Sequence, residues 1–552
     1  MPLPTPPPAG RRARPAARAP AGGSAWAHLC LVLSLALSAL PLLLAERLPL
    51  FDYPNHLARI HVLDRWAENP AFRAHFEITS FLIPNALSDA VLLALTPLLG
   101  DVLRAGRALL LLTSALTLTG LYLLNRVAVG RFSVWPLFAA VLLYHEMFFW
   151  GFLNYLLGLA LVPWALAAWL LLDGRRRPLQ IGVGALAAIV IFLCHLVAFG
   201  LYAAAIAVLE LRRAWRRRAE GAGAQAARLA ASAAQFLPAL ALYATISPSR
   251  SLPMDLRFDF GAWSKISPFT RLISSGNTAA DLIALGAVLG ALALALGSGR
   301  ARLDRGLALV AATFALLVLT LPYSAMGSFF VDSRIAIAAA MFLVAAVGPG
   351  RAGGGAGPAA LLLLLLVGSR SHVLLEDWRA QSREVETVLA AFREVPPGSL
   401  LVPAITVPLE VGEWFTTRRI VPAHEHTAGY AAILGDAIVP NLFAKRGQNP
   451  LVYAPALEAM EPLGRNPISR VGTSTELRRL VDEARRVARQ RNAVRPPLPG
   501  VYIVVFHRRC RDWPRGLPVK AVACGDDFSL MEVAGLDRPA SRPLALIEES
   551  DR

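Results

Sequence analysis

Residues 26–66 read WAHLCLVLSLALSALPLLLA followed by ERLPLFDYPNHLARIHVLDRW, and the change of character at 45/46 decides the class of fold. The first part is an apolar run of the length needed to cross a hydrocarbon core of about 30 Å. The second sets an acid (Asp52), an imidazole (His56), a guanidinium (Arg59) and a further His61/Asp64 pair directly beside it. Apolar runs of about 17–25 residues recur over the first two-thirds of the chain, and lipid admits only helices or closed barrels. The short alternating strands of a barrel are missing from these runs. The expected fold is therefore mainly α, a polytopic transmembrane helical bundle.

Composition agrees, since 55% of the 552 residues are hydrophobic and only 17% charged, which excludes an ordinary soluble domain. The net charge of +17 would suit nucleic acid, but the arginines fall in short clusters between apolar runs. That is the pattern of cytoplasmic loops, so RRAWRRR (212–218) reads as topology and no nucleic-acid partner is expected. Arginine outnumbers lysine and alanine is abundant, in keeping with a GC-rich bacterial source.

Residues 1–22, rich in Pro, Ala and Arg, read as a disordered cytoplasmic tail. The run at 26–45 resembles a signal peptide, but its length favours an uncleaved anchor with the N-terminus inside. Residues 46–103 then form a first external loop, in which Ala86–Leu99 is short for a span. Reading it as an interfacial or re-entrant helix keeps GRRRP (174–178) and RRAWRRR on the cytoplasmic side. Further spans are expected at about 104–124, 133–147, 152–172, 179–195, 197–211, 226–246, 278–298, 305–322, 333–349 and 358–371, about eleven in all. An odd count puts the C-terminus outside. From 372 the composition turns soluble: SLLVPAITV, VYIVVFH and SLMEVAGL read as strands and TELRRLVDEARRVARQ (475–490) as an amphipathic helix. The division expected is a tail (1–22), a transmembrane domain (23–371) and a small extracytoplasmic α/β domain (372–552).

Ionisable groups at span ends are costly and default to functional candidates. On the outer side they are Asp52, His56, Arg59, His145, Glu146, His195, Asp332 and Arg334. Each has a plainer reading. Asp52, just ahead of Pro54, suits a helix cap; His56 suits a helix surface, and His61 with Asp64 a solvated face. His195 suits packing, and Asp332 and Arg334 could pair with each other. His424-Glu425-His426 lacks a further ligand at helical spacing and reads as a polar loop. Cys30 and Cys194 lie in apolar spans, whereas Cys510 and Cys524 flank a turn-rich stretch and are a disulfide candidate if that region is outside.

The layout resembles the GT-C fold integral membrane glycosyltransferases: a cytoplasmic N-terminus, an acid just after the first span in FDYPNH, many further spans, and an external C-terminal domain. The family's commoner pattern places two acids in the first loop; here Tyr53 and Pro54 follow Asp52. The resemblance implies an inverting hexosyl- or pentosyltransferase of the bacterial cytoplasmic (inner) membrane. Its donor would be a polyprenyl-phosphate-linked sugar in the membrane lipid, and its acceptor an extracytoplasmic glycan, lipid or protein. By that resemblance Asp52 is the general base, and Arg334, with Arg59 or His195, meets the leaving phosphate. His145 and Glu146 would orient a sugar or help hold a divalent cation (Mg or Mn), the cofactor being otherwise unknown. A lipid-linked-glycan flippase and a non-catalytic envelope assembly protein are the competing classes. Uninterrupted Ala/Leu/Val spans with polar groups gathered at one face disfavour alternating access, whereas scattered outer-face residues would favour an assembly role.

Overall fold

In helix an apolar segment satisfies all its own backbone groups, which is why the membrane-length runs adopt it. The computed structural model describes residues 22–173, 176–350, 356–406, 424–455, 463, 468–492 and 497–536. Among these, six helices are long and apolar enough to cross a membrane: Ala25–Leu44, Val102–Val129, Leu153–Leu171, Arg177–Cys194, Thr278–Gly297 and Ala356–Phe392. Leu87–Leu99 and Arg305–Thr320 are shorter apolar helices. Their ends carry the chemistry that stops a helix. Asp101, Asn277 and Asp304 cap N-termini with their side chains, and Gly100 and Gly130 close C-termini in the left-handed conformation.

Eleven spans are thus more than length and composition support. The segment expected at 133–147 folds as a 3-10 helix, Trp135–Leu142, all of whose residues are buried. It is wrapped by Gly22–Leu44, Val102–Val129, Val331–Ala345 and Ala356–Phe392, so its apolar side chains face protein. The segment expected at 226–246 divides into Ala222–Ala233, Ala234–Phe236 and Leu237–Thr245. The tail expected at 1–22 lies, but for its last residue, outside the described residues.

Helix Ala356–Phe392 runs unbroken through position 371 and leads the chain into a five-stranded sheet. Its order is Val519–Cys524, Phe528–Val533, Val501–Phe506, Leu400–Ile405, Ser469–Arg470. The two fully buried strands, Leu400–Ile405 and Val501–Phe506, pair in parallel, as strands covered on both faces do. Phe528–Val533 and Val519–Cys524 add antiparallel at one side, and helix Ser474–Asn492 connects within the same unit. A disulfide joins Cys510 to Cys524 with Cα atoms 5.6 Å apart, while Cys30 and Cys194 are free and buried.

The first loop is clamped to this C-terminal part. Phe76–Ile78 pairs antiparallel with Leu451–Tyr453. Arg47 reaches Glu386 at 3.2 Å, and its N–H donates to Ser382 Oγ at 3.1 Å. The helix Tyr53–Arg65 lies so close to Gly429–Gly435 that a Cβ on Gly429 would stand 2.9 Å from the Pro54 carbonyl oxygen. A backbone atom cannot yield cheaply. Gly429→Val should therefore cost ~1–3 kcal/mol by overpacking and loosen the clamp. Thermal unfolding of the detergent-purified protein measures this, and an unchanged melting point would refute the close approach.

Candidate functional site

Asp52 stands at the head of helix Tyr53–Arg65, yet its side chain makes no capping hydrogen bond. Its carbonyl instead accepts from the N–H groups of Asn55 (3.1 Å) and His56 (3.0 Å). The carboxylate is thereby left for other work. The backbone is held from the opposite side, because the N–H groups of Phe51 and Asp52 donate to the carbonyls of Phe149 (2.9 Å) and Trp150 (3.0 Å). This approach requires Gly151, where φ is +71° and a Cβ would lie 2.9 Å from the Tyr53 nitrogen.

What faces the carboxylate comes from the far end of the chain. His426 Nε2 lies 3.3 Å from Asp52 Oδ1. On the other side of the ring, the Asn55 amide nitrogen lies 2.9 Å from His426 Nδ1 and also donates to the Asn441 carbonyl at 2.8 Å. Asn55 Oδ1 accepts from the Phe443 N–H at 2.8 Å, which fixes which end of the amide is the donor. His426 Nδ1 is consequently an acceptor, and the ring proton sits on Nε2, which lies near Asp52 but makes no hydrogen bond among the described residues. Phe51 and Phe443 close edge-on around the imidazole. Glu425, whose carboxyl is raised above its ordinary range by burial, acts electrostatically on Asp52 from the same turn. A small pocket lined by Phe51, Pro54, Ser382, His426 and Tyr430 opens beside this group.

Arg334 lies within electrostatic range of Asp52. Its guanidinium sits 4.3 Å over the Phe152 ring and donates to Ser328 Oγ at 2.7 Å. Trp150 and Phe330, with centroids 4.7 Å apart, fill the space between the first loop and this arginine, and Phe51 packs on Trp150 at 4.7 Å. His195 caps the next helix by accepting the Val197 N–H on Nδ1 at 3.0 Å, so its proton also sits on Nε2. That Nε2 is 3.3 Å from Arg334 Nη1, so two donors converge. Arg334 Nε has no partner among the described residues.

Each remaining candidate is committed to a neighbour. Arg59 forms a bidentate pair with Asp89 (2.9 and 2.7 Å), both side chains being fully buried. Its Nη2, which bonds Asp89 Oδ1, also lies 2.9 Å from His56 Nδ1, while Nη1 has no partner among the described residues. Burial, with Arg59 beside it, holds the His56 imidazole well below its usual range and therefore neutral. His145 caps the short helix Glu146–Phe149 by accepting the Phe148 N–H on Nδ1. Glu146 accepts from Arg271 at 3.1 Å. Asp332 pairs with Lys265 at 3.0 Å, not with Arg334 two residues away. His61, expected in water, pairs with Asp436 at 2.7 Å, while Asp64 is exposed.

Sequence reasoning overlooked Asp89, Lys265 and Arg271, and read Glu425 and His426 as a polar loop. The signal for Asp89 was a lone acid in an apolar stretch, and for His426 the His-Glu-His run itself.

Removing one partner of the dry Arg59–Asp89 pair strands a buried charge. Arg59→Ala should cost ~3–5 kcal/mol, and Arg59→Met with Asp89→Leu should recover most of it. Thermal melts of these two variants beside the wild type decide this, and a harmless Arg59→Ala would contradict the pairing. Burial pushes the Glu146 carboxyl up to about 7, against the opposing pull of Arg271. A folded-state value above the unfolded one means a stabilising contribution present below about pH 4.5 and lost as pH rises through about 7. Glu146→Gln should flatten that part of the melting-point profile between pH 5 and 8, and an unchanged slope would contradict it.

No protein-family model and no curated protein matches the chain. Solved structures do. ArnT from Cupriavidus metallidurans, in its apo state, aligns over 94% of this chain and 100% of its own at 11% identity, with a TM-score of 0.53. The same protein bound to undecaprenyl phosphate aligns over 93% and 100% at 10% identity, with a TM-score of 0.55. The mycobacterial arabinofuranosyltransferase AftD aligns over 93% of this chain and 40% of its own at 16% identity; its TM-score of 0.39 is too low to carry an argument. At these identities the likeness speaks to architecture alone: the chain has the GT-C fold of ArnT, a multi-pass membrane fold.

Proposed function

We propose that the protein is a membrane glycosyltransferase that moves a sugar from a polyprenyl-phosphate-linked donor to an extracytoplasmic acceptor, with Asp52 as general base. One observation carries this reading: of the four acids Asp52, Asp89, Glu146 and Asp332, only Asp52 has no Arg or Lys within ion-pair distance among the described residues. The others are neutralised by Arg59, Arg271 and Lys265. Asp52 lies 3.3 Å from His426 Nε2 without a hydrogen bond to it, so its carboxylate lone pairs stay open for a proton.

The chemistry follows from the groups present. An acceptor hydroxyl gives its proton to the Asp52 carboxylate as its oxygen attacks the anomeric carbon. The carbon–oxygen bond to the lipid phosphate breaks with its electron pair, and polyprenyl phosphate leaves. Attack opposite the phosphate inverts the anomeric centre. The leaving charge is met by Arg334 and by the Nε2–H of His195, whose nitrogens lie 3.3 Å apart. The Phe152 and Tyr155 rings hold the guanidinium in place. The undecaprenyl phosphate bound by ArnT on the same fold supports a lipid-phosphate donor. In this reading His56, Arg59, His145, Glu146 and Asp332 shape the site through their neighbours, the Asp52 face is extracytoplasmic, and the C-terminal residues form a domain on that face.

The test is reconstitution in liposomes with radiolabelled polyprenyl-phosphate sugars and an external acceptor fraction. Transfer to the acceptor, with release of the lipid phosphate, is the expected result; transbilayer movement of intact donor without transfer would overturn the reading in favour of a flippase. Arg334→Ala should lower the transfer rate by ~10²–10³-fold, the range for losing a donor to developing charge. Activity within a few-fold of wild type would remove Arg334 from the phosphate.

A further inference from the structure

We propose that His424, His507 and Asp527 form a binding site for a divalent transition-metal ion, zinc by the chemistry of its donors, at one end of the C-terminal sheet. Two imidazole nitrogens and one carboxylate oxygen lie within 4.8 Å of one another. His507 Nδ1 is 2.7 Å from Asp527 Oδ2, and His424 Nε2 is 3.9 Å from the same oxygen. Bonds of about 2.0–2.1 Å in tetrahedral geometry place ligand atoms about 3.3 Å apart, between these two separations. Small side-chain rotations therefore suffice. Mixed nitrogen and oxygen donors suit zinc and its neighbours; Mg and Ca take oxygen.

The arrangement is built by the sheet. Phe506 and Phe528 are cross-strand partners, so His507 and Asp527 follow as the next pair, joined by the His507 N–H to the Asp527 carbonyl at 2.7 Å. His507 has φ +57°, a left-handed conformation that L side chains rarely adopt. His424 lies flat on the Phe506 ring, centroids 4.4 Å apart and nearly parallel, which sets its imidazole beside the other two ligands. The Cys510–Cys524 disulfide ties the two chain segments that leave this end of the sheet. Asp527 is well exposed, which gives an ion and a completing water access.

The site adjoins the proposed active centre without sharing a residue with it. His424 opens the turn whose third residue, His426, faces Asp52. An ion on His424 would pin that turn to the sheet, while Asn55 pins it to the first-loop helix. The role is positional.

The test uses the full chain in detergent, affinity tag removed, stripped by chelator and then titrated with Zn²⁺, with Co²⁺ as a spectroscopic probe. One equivalent should bind, with Co²⁺ giving the visible absorption of a tetrahedral site. His507→Gln and Asp527→Asn should each weaken binding by at least ~10-fold, the lower end of what disturbing even the surroundings of a metal ligand costs. Zn²⁺ should raise the melting temperature of the wild type and not of these variants. Their melting temperatures without metal report whether they fold. Asp52→Asn should bind Zn²⁺ as the wild type does, so failure of the glycosyltransferase reading leaves this inference standing. No stoichiometric binding, or undiminished binding in His507→Gln and Asp527→Asn together, would overturn it and leave a His507–Asp527 ion pair with His424 as packing.

Discussion

The amide of Asn55 is the contact on which the rest of the site depends. It accepts from the Phe443 N–H and donates toward the Asn441 carbonyl and His426 Nδ1, joining segments 371 residues apart for the histidine alone. A buried amide so fully used is rigid, and each of its bonds dictates the direction of the others. Because Asn55 occupies His426 Nδ1 as donor, the histidine presents N–H to Asp52. A first-loop acid thus acquires its partner only when the C-terminal chain has folded against the first-loop helix. The ribbon Phe76–Ile78 with Leu451–Tyr453, and the contacts of Arg47 with Ser382 and Glu386, serve the same docking.

Around this contact the charges are arranged by a simple electrostatic rule. A carboxylate taken from water needs a cation or several donors, and Asp89, Glu146 and Asp332 each have a cation. Asp52 keeps some exposure and has a histidine, His426, as its near neighbour. Groups of that kind stay available to take a proton. Arg334 is the complementary case, a buried guanidinium held by aromatic rings and one hydroxyl, with a donor to spare. An acid without a cation and a cation without an acid stand within electrostatic range of each other. A polar lipid-linked substrate would meet both.

The bundle was legible because length and hydropathy are properties of a segment by itself. The span count was less so: a segment such as 133–147 is equally apolar whether lipid or protein covers it, and here protein does. The positions of polar groups at segment ends were legible for the same reason. Their partners were not, since Arg59–Asp89, Glu146–Arg271, Lys265–Asp332 and Asp52–His426 all join residues far apart in sequence. Asp332 and Arg334 illustrate the limit; two positions apart on a helix their side chains diverge, Asp332 to the distant Lys265 and Arg334 to Ser328 and the Phe152 ring. His424-Glu425-His426 read as a polar loop because no ligand followed at helical spacing. The sheet and the first loop supply the partners instead.

The most direct measurement is the rate of sugar transfer from a polyprenyl-phosphate donor by reconstituted Asp52→Asn and His426→Gln proteins. Both would be verified as folded and inserted by melting temperature and protease mapping. The account predicts that Asp52→Asn loses ~10²–10⁴-fold in rate while His426→Gln loses less, the scale of a missing general base against a displaced one. Full activity of Asp52→Asn would contradict it.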